Sequence, residues 1–350
     1  MRGFTRISNG ATLPFLGVCA VVAVAGIAAG SSLDFSPAPA AVSSSSTIDE
    51  ISRADTPNHG VNSYAEHRYR IIGKLRMAVI WAKHDDIGSA RMTWRSDANS
   101  SALALMVGSD PQRAPRSLNK WGYLREEIRS DRAEVFTVRS LGGSEASSAT
   151  DYAASEGPLF GASCSSIGNT DVTGAKTTVS AAGVTYRMFD RLLDRIAVAP
   201  RWQEKRTTRP EGADAGFLTA LQHVIRAGRN DSTSAKAAPI TYIYNSTIYD
   251  LTIQGSRQLG RTTVGSRTFD QLTRTDVSVR NRTTEETSKF AVTYSPDRAG
   301  TPLPIQIFCQ PNFWLSVELR LDDTVDVPAD PASDVTALAR IRAICDTAIR

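Results

Sequence analysis

Histidine and cysteine are scarce in this chain, four of each among 350 residues. No Cys/His spacing forms a zinc site, and His59, His67 and His223 stand at no ligand-like intervals. There is no glycine-rich phosphate loop, no dinucleotide fingerprint and no zinc-protease helix, so the familiar motifs of nucleotide and metal chemistry are missing. The segment "GASCSSIG" lacks the second glycine of a nucleophile elbow, and Cys164 within it has no identifiable activating partner. A strong excess of one charge is absent too. The formal net charge of +4 is too mild for a nucleic-acid surface, which needs a concentrated basic patch. The expectation is therefore no catalytic residue, no metal, no cofactor and no nucleic-acid partner.

What is present is an ordinary globular composition, 41% hydrophobic and 22% charged, long enough to bury a substantial core. Arg2 and Arg6 precede an uncharged apolar run over residues 11–30, and an Ala-x-Ala follows at Ala38 to Ala40. Two readings stay open. Residues 1–40 are an export signal removed from a periplasmic or secreted protein, or residues 11–30 stay as an inner-membrane anchor, since about 20 apolar residues span a bilayer. Cys19 lies inside the run behind Val18, where lipid attachment would want a small residue. Residues 41–65, rich in Ser, Ala and Pro at their start, read as a flexible linker. Contact with a membrane is expected only through the N-terminal segment.

Beyond Tyr69 the hydrophobic pattern has the two-residue period of half-buried strands. "YRIIGKLRMAVIWAK" reads as one strand, "HDDIGS" as a turn, and "ARMTWR" and "SALALMVG" as the next two strands. "GYLREEI" and "AEVFTVRSL" flank "RSDR" as a hairpin. Residues 141–183 are poor in bulky side chains and predict a long mobile insertion. Two amphipathic helices follow, with Phe189, Leu192, Leu193 and Ile196 on one face of the first and Phe217, Leu221, Val224 and Ile225 on one face of the second. Strands resume at "PITYIYNSTIYDLTIQ" and run to "QPNFWLSVELRLDD". A closing helix takes Asp330 as N-cap and Pro331 in its first turn, with Leu338, Ile341 and Cys345 inward. The predicted fold class is α+β: a large curved antiparallel sheet of about nine or ten strands, half-barrel-like, with a helical insertion at about 141–235 and a C-terminal helix. One β-rich domain spans 66–350. For the cysteines, a Cys309–Cys345 bridge and buried thiols both remain open.

The chemistry-bearing candidates are few. In "SDPQRAPRSLNKWGYLREE", Ser109 to Glu127, the side chains of Arg113, Arg116, Lys120 and Arg125 either converge on a phosphate or carboxylate or form a solvated rim. Trp81, Trp94, Trp121, Tyr123 and Trp314 either line a ligand site, with Arg113 and Arg116 at its mouth, or pack as core. His84, Asp85 and Asp86 carry acid/base and metal-ligand groups in what reads as a turn. Asp322, Asp323, Asp326, Asp330 and Asp334 resemble a calcium loop without its glycine and terminal glutamate.

The stretches "RYRIIGKLRMAVIWAKHDDIGSARMTWR", "GSDPQRAPRSLNKWGYLREE" and "QPNFWLSVELRLDD" resemble segments of uncharacterised exported bacterial proteins. The sheet they imply is similar to the curved half-barrels of periplasmic lipoprotein carriers, over residues 65–140 and 238–324. That resemblance implies a non-catalytic exported envelope protein, with a lipid or other apolar or amphipathic ligand on a concave sheet face. It carries over no functional residue, because no carrier motif matches. Two other readings stand beside it: an interaction or scaffold protein using the 141–183 insertion or a sheet edge, and a hydrolase near His84 and the 109–127 loop.

Overall fold

The computed structural model describes residues 61–77, 80–110, 113, 120–141, 157–199, 201–229, 238–295, 303–312 and 315–350. The first eight strands are β1 (Val61–Met77), β2 (Ile80–Asp97), β3 (Ser100–Ser109), β4 (Trp121–Arg129), β5 (Ala133–Ser140), β6 (Leu159–Ile167), β7 (Asp171–Ser180) and β8 (Gln203–Thr208). The second eight are β9 (Ile240–Tyr244), β10 (Thr247–Leu259), β11 (Thr262–Val264), β12 (Arg267–Phe269), β13 (Leu272–Asn281), β14 (Thr287–Tyr294), β15 (Gln306–Asn312) and β16 (Leu315–Leu321). Among the described residues three α-helices accompany them: α1 (Phe189–Ala197), α2 (Phe217–Arg229) and α3 (Val335–Ile349). No helix among the described residues is long and apolar enough to cross a membrane.

Fourteen strands form one antiparallel sheet in the order β8-β7-β6-β5-β4-β3-β2-β1-β16-β15-β14-β13-β10-β9, with β11 and β12 as a separate hairpin. Neighbours in the sheet are neighbours in the chain, apart from the excursion through β11–β12 and one junction. That junction is the ladder of β1 against β16, from Tyr69 opposite Leu321 to Leu75 opposite Leu315, which joins the start of the sheet to its end. The sheet is not closed: β8 and β9 are its two ends. The ends nonetheless touch. Ser163 Oγ on β6 donates to Asn245 Oδ1 in the β9–β10 turn at 2.5 Å, and Asp214 forms a parallel bridge with Tyr242 of β9.

Each face of the sheet carries its own core. On the inner face, Leu103, Leu105 and Val107 of β3, Leu124 of β4 and Val277 and Val279 of β13 surround the α2 side chains Leu218, Leu221, Val224 and Ile225. Each such side chain contributes roughly 1.5–3 kcal/mol when removed from water. On the outer face, Trp121, Tyr123, Phe136, Phe160 and Ala162 pack beneath α1 and α3. β3 to β5 are therefore buried on both sides, which explains their nearly continuous burial.

Both expected helices in the middle of the chain are present, and their predicted apolar faces are buried. Several other expectations are corrected. Residues 159–180 form the β6–β7 hairpin inside the sheet rather than an insertion, and 142–156 lie outside the described residues. Small side chains on these strands let α1 and α3 lie close, and the buried hydroxyls of Thr137 and Ser163 satisfy each other across β5 and β6. The basic connection after α1 contains strand β8. "YRIIGKLRMAVIWAK" is two strands, with Met77 opposite Ile80; the reversal carries no Gly, Pro, Asn or Asp, so a period-two pattern runs straight through it. "HDDIGS" lies within β2, where Asp85, Asp86 and Ile87 oppose Ile72 alone as a bulge and Asp86 takes φ 67°. Asp330 caps a short 3-10 turn, while Asp334 caps α3; Ile341 and Cys345 of that helix turn inward as expected, joined by Ala337, Ile344 and Ala348.

α2 is seated at both ends by side chains remote in sequence. At its start the Glu126 carboxylate accepts from Leu218 N at 2.7 Å, Thr219 N at 2.8 Å and Thr219 Oγ1 at 2.6 Å, so a side chain of β4 satisfies the orphan amides of the helix. A Cβ on Gly216 would overlap that carboxylate, and a Cβ on Gly228 would overlap the Tyr294 hydroxyl of β14. Glu126 is 0% exposed. Burial pushes its carboxyl up to about 7, against the pull of the Thr219 hydroxyl and the Leu218 and Thr219 amides; the charge of Asp214 adds to the rise.

Two outcomes follow. Gly216→Ala and Gly228→Ala are each expected to lower the unfolding free energy measured in urea by about 1–3 kcal/mol through overpacking, whereas Gly260→Ala, with open space around its Cβ, leaves it nearly unchanged. Folded Glu126 holds a proton that the unfolded chain loses above 4.5, so the stability it contributes is complete below that pH and is lost as pH rises through about 7. Urea titrations from pH 5 to pH 8 are expected to show a decline of about 2–3 kcal/mol from this group, and Glu126→Gln to flatten it.

Candidate functional site

β4 continues past Glu126 with a row of charges on its other side. Arg125, Glu127 and Arg129 sit two residues apart, so the period of a strand places all three on the outer face. α3 crosses above them and is tied down by the disulfide Cys164–Cys345, with Cα atoms 5.3 Å apart. The bridge expected at Cys309–Cys345 does not form, because Cys309 on β15 belongs to the inner core while α3 packs on the outer one. Between α3 and the strands lies a cleft of about 320 Å³, lined by the apolar side chains of Phe136, Leu338, Ile341 and Ile349 and by the charged side chains of Arg125, Glu127, Arg132, Glu134 and Arg342 among others.

Glu127 is the centre of this charge cluster. Arg342 of α3 reaches it at 2.7 Å, Arg129 at 2.8 Å and Arg125 at 3.3 Å. Burial alone would raise its carboxyl, but the Arg129 hydrogen bond and the charges of Arg125 and Arg342 outweigh that and hold it below the usual range. Glu134 takes the next positions, 3.4 Å from Arg132 and 3.6 Å from Arg129. The Nε–H of Arg125 is buried without an acceptor among the described residues. The site was not read from sequence, although Arg125, Glu127 and Arg129 on one strand face, joined by a helical arginine, carried the signal.

The aromatic candidates do not form one wall. Trp121 is 0% exposed and packs against Phe160 and Phe189 in the outer core, donating from Nε1 to Val184 O at 3.2 Å. Tyr123, 2% exposed, packs against Phe189 and donates its hydroxyl to Asp330 Oδ1 at 2.7 Å. Trp94 is half-buried against the inner core, on the opposite face of the sheet. Trp81 lies in β2 opposite Arg76, its side chain outside those described; Trp314 and Arg116 lie outside the described residues. Arg113 is bonded to Asp86 and lies 3.4 Å from Asp110, and Lys120 Nζ donates to Leu141 O at 2.8 Å. The basic side chains described from the 109–127 stretch are thus engaged locally or, in Arg125, turned toward the cleft.

The remaining acid/base candidates serve the fold. Asp322 pairs with Arg70, Asp323 with Arg267 and Asp326 with Arg187, while Asp330 and Asp334 cap helical turns. Among the described residues no group of three or more His, Cys, Asp or Glu is arranged to hold a metal. His223 Nδ1 stands 2.8 Å from Asp214 Oδ2, with its ring half exposed on α2. A second cleft, of about 360 Å³, opens where the β9–β10 turn meets β6 to β8 and is lined by hydroxyl and amide side chains with Lys176 and Lys205.

No protein-family model matches the chain, and no curated protein matches it. Among solved structures it is similar to the crystal structure of a "putative lipoprotein" from Parabacteroides distasonis, over 74% of this chain and 94% of that one, at 11% identity and a TM-score of 0.24. At that score the likeness carries no argument about shape or function.

Proposed function

We propose that this is an exported, non-catalytic envelope protein that works by binding, and that its sheet curls about α2 as a half-barrel. The observation that carries export is the Cys164–Cys345 disulfide, which joins β6 to α3 across 181 residues and belongs to an oxidising compartment. The basic and apolar N-terminal sequence supports the same location, with residues 11–30 as signal or anchor. The curl is supported by one inner core that holds Val172 from β7 and Tyr242 from β9, next to the two ends of the sheet, together with α2. Binding is assigned to an outer cleft rather than to the inner face, because α2 side chains occupy that face. A non-catalytic role agrees with the use of Glu126 as a helix cap and of the aspartates as caps and ion-pair partners.

Two reporter fusions test this reading. The full chain carrying alkaline phosphatase at its C-terminus is expected to give an active phosphatase in a bacterial host, while the same chain fused to green fluorescent protein exported by the same route stays dark. Peptide mapping of the purified protein without reductant is expected to recover Cys164 joined to Cys345. An inactive phosphatase with both cysteines recovered as thiols would contradict the proposal.

A further inference from the structure

The cleft beneath α3 has features that point to a ligand class, and the inference drawn from them rests on the binding reading just given. Its volume of about 320 Å³ is at the small end of small-molecule sites, which run from roughly 300 to 1,000 Å³. Its lining is mixed in chemistry. Phe136, Leu338, Ile341 and Ile349 supply apolar surface, and the arginines stand beside them, Arg125 opposite Phe136 across the β4–β5 ladder and Arg342 next to Ile341 on α3.

The charges there do not balance. The cleft is lined by Arg125, Arg132, Arg342 and Arg350 against Glu127, Glu134 and Asp346, so four guanidinium groups meet three side-chain carboxylates. Arg125 and Arg342, together with Arg129 beside the cleft, converge on the single carboxylate of Glu127, which cannot accept from every N–H they present. A ligand oxyanion would supply the missing charge.

We propose that this cleft binds a small amphipathic monoanion, a medium-chain carboxylate, with Arg125 and Arg342 holding the head group and Phe136, Ile341 and Ile349 the chain. One unit of uncompensated positive charge matches a carboxylate better than a dianionic phosphate. The Cys164–Cys345 bond keeps α3 over the strands and so preserves the cleft in the unliganded protein.

Isothermal titration of the purified, disulfide-intact chain with sodium octanoate at pH 7 tests the proposal. Octanoate is expected to bind at least tenfold more tightly than octan-1-ol and octylammonium, which lack the anion, and than inorganic phosphate, which lacks the chain. Arg342→Gln, at a partly exposed helix position, is expected to weaken octanoate about tenfold, and Ile349→Asn to weaken it while leaving the unfolding midpoint near that of the parent. Arg206→Gln, the same charge change on the exposed strand β8, is expected to leave the affinity unchanged. Equal binding of octanoate and octan-1-ol, or indifference to Arg342→Gln, would overturn the site. A chain that is exported but does not bind octanoate removes this ligand and leaves the export reading standing; a chain that binds octanoate but is not exported does the reverse.

Discussion

The reach of the Glu126 carboxylate from β4 into the first turn of α2 is the contact on which the rest of the structure depends. It fixes the start of a helix whose side chains fill the inner face, and Gly228 lets the other end lie against Tyr294 on β14. The helix therefore spans two strand groups that the chain visits at opposite ends of its length, and the β1–β16 ladder joins the same groups at the sheet. A buried carboxylate is costly without hydrogen-bond partners, and here three donors meet it. Its raised pKa is the measure of burial winning over those donors.

With the inner face occupied, the outer face is where the molecule presents a cleft with an unbalanced set of charges. β4 serves both sides at once: Leu124 and Glu126 face α2, while Trp121, Tyr123, Arg125 and Glu127 face α1 and α3. The disulfide holds α3 down at Cys345 and Arg342 holds it at Glu127, so the lid of the cleft is tied by a covalent and an ionic contact about one turn apart. The exposed end strand β8, with Glu204, Lys205 and Arg206, is blunted by charge against pairing with another chain.

The legible parts of this fold were those with a local period. Phe189, Leu192, Leu193 and Ile196 marked α1, and Phe217, Leu221, Val224 and Ile225 marked α2, because a buried helical face repeats every three to four residues. The strand alternation from Ile305 to Leu321 was visible for the same reason, with the irregular register after Cys309 where Pro311 interrupts it. The β6–β7 hairpin escaped because its residues are small: Cys164 and Ala175 make strands under the helices, Ser163 and Ser165 fill the other face, and together they give no hydrophobic signal. The Met77–Ile80 reversal escaped because it lacks turn residues. The cap on α2 and the partners of Cys345 and Glu127 were beyond local reading, since each comes from 90 or more residues away.

The central claim is that α2 is a fixed part of the inner core and not a lid over a cavity. Native-state hydrogen exchange of the Leu218 and Thr219 amides, resolved by NMR, tests it directly. Both are expected to exchange only through global unfolding, with the same urea dependence as the slowest amides of β3 and β4. Exchange of these two amides by a lower-energy opening with little urea dependence, while β3 and β4 stay protected, would show the helix leaving its seat and would contradict the account.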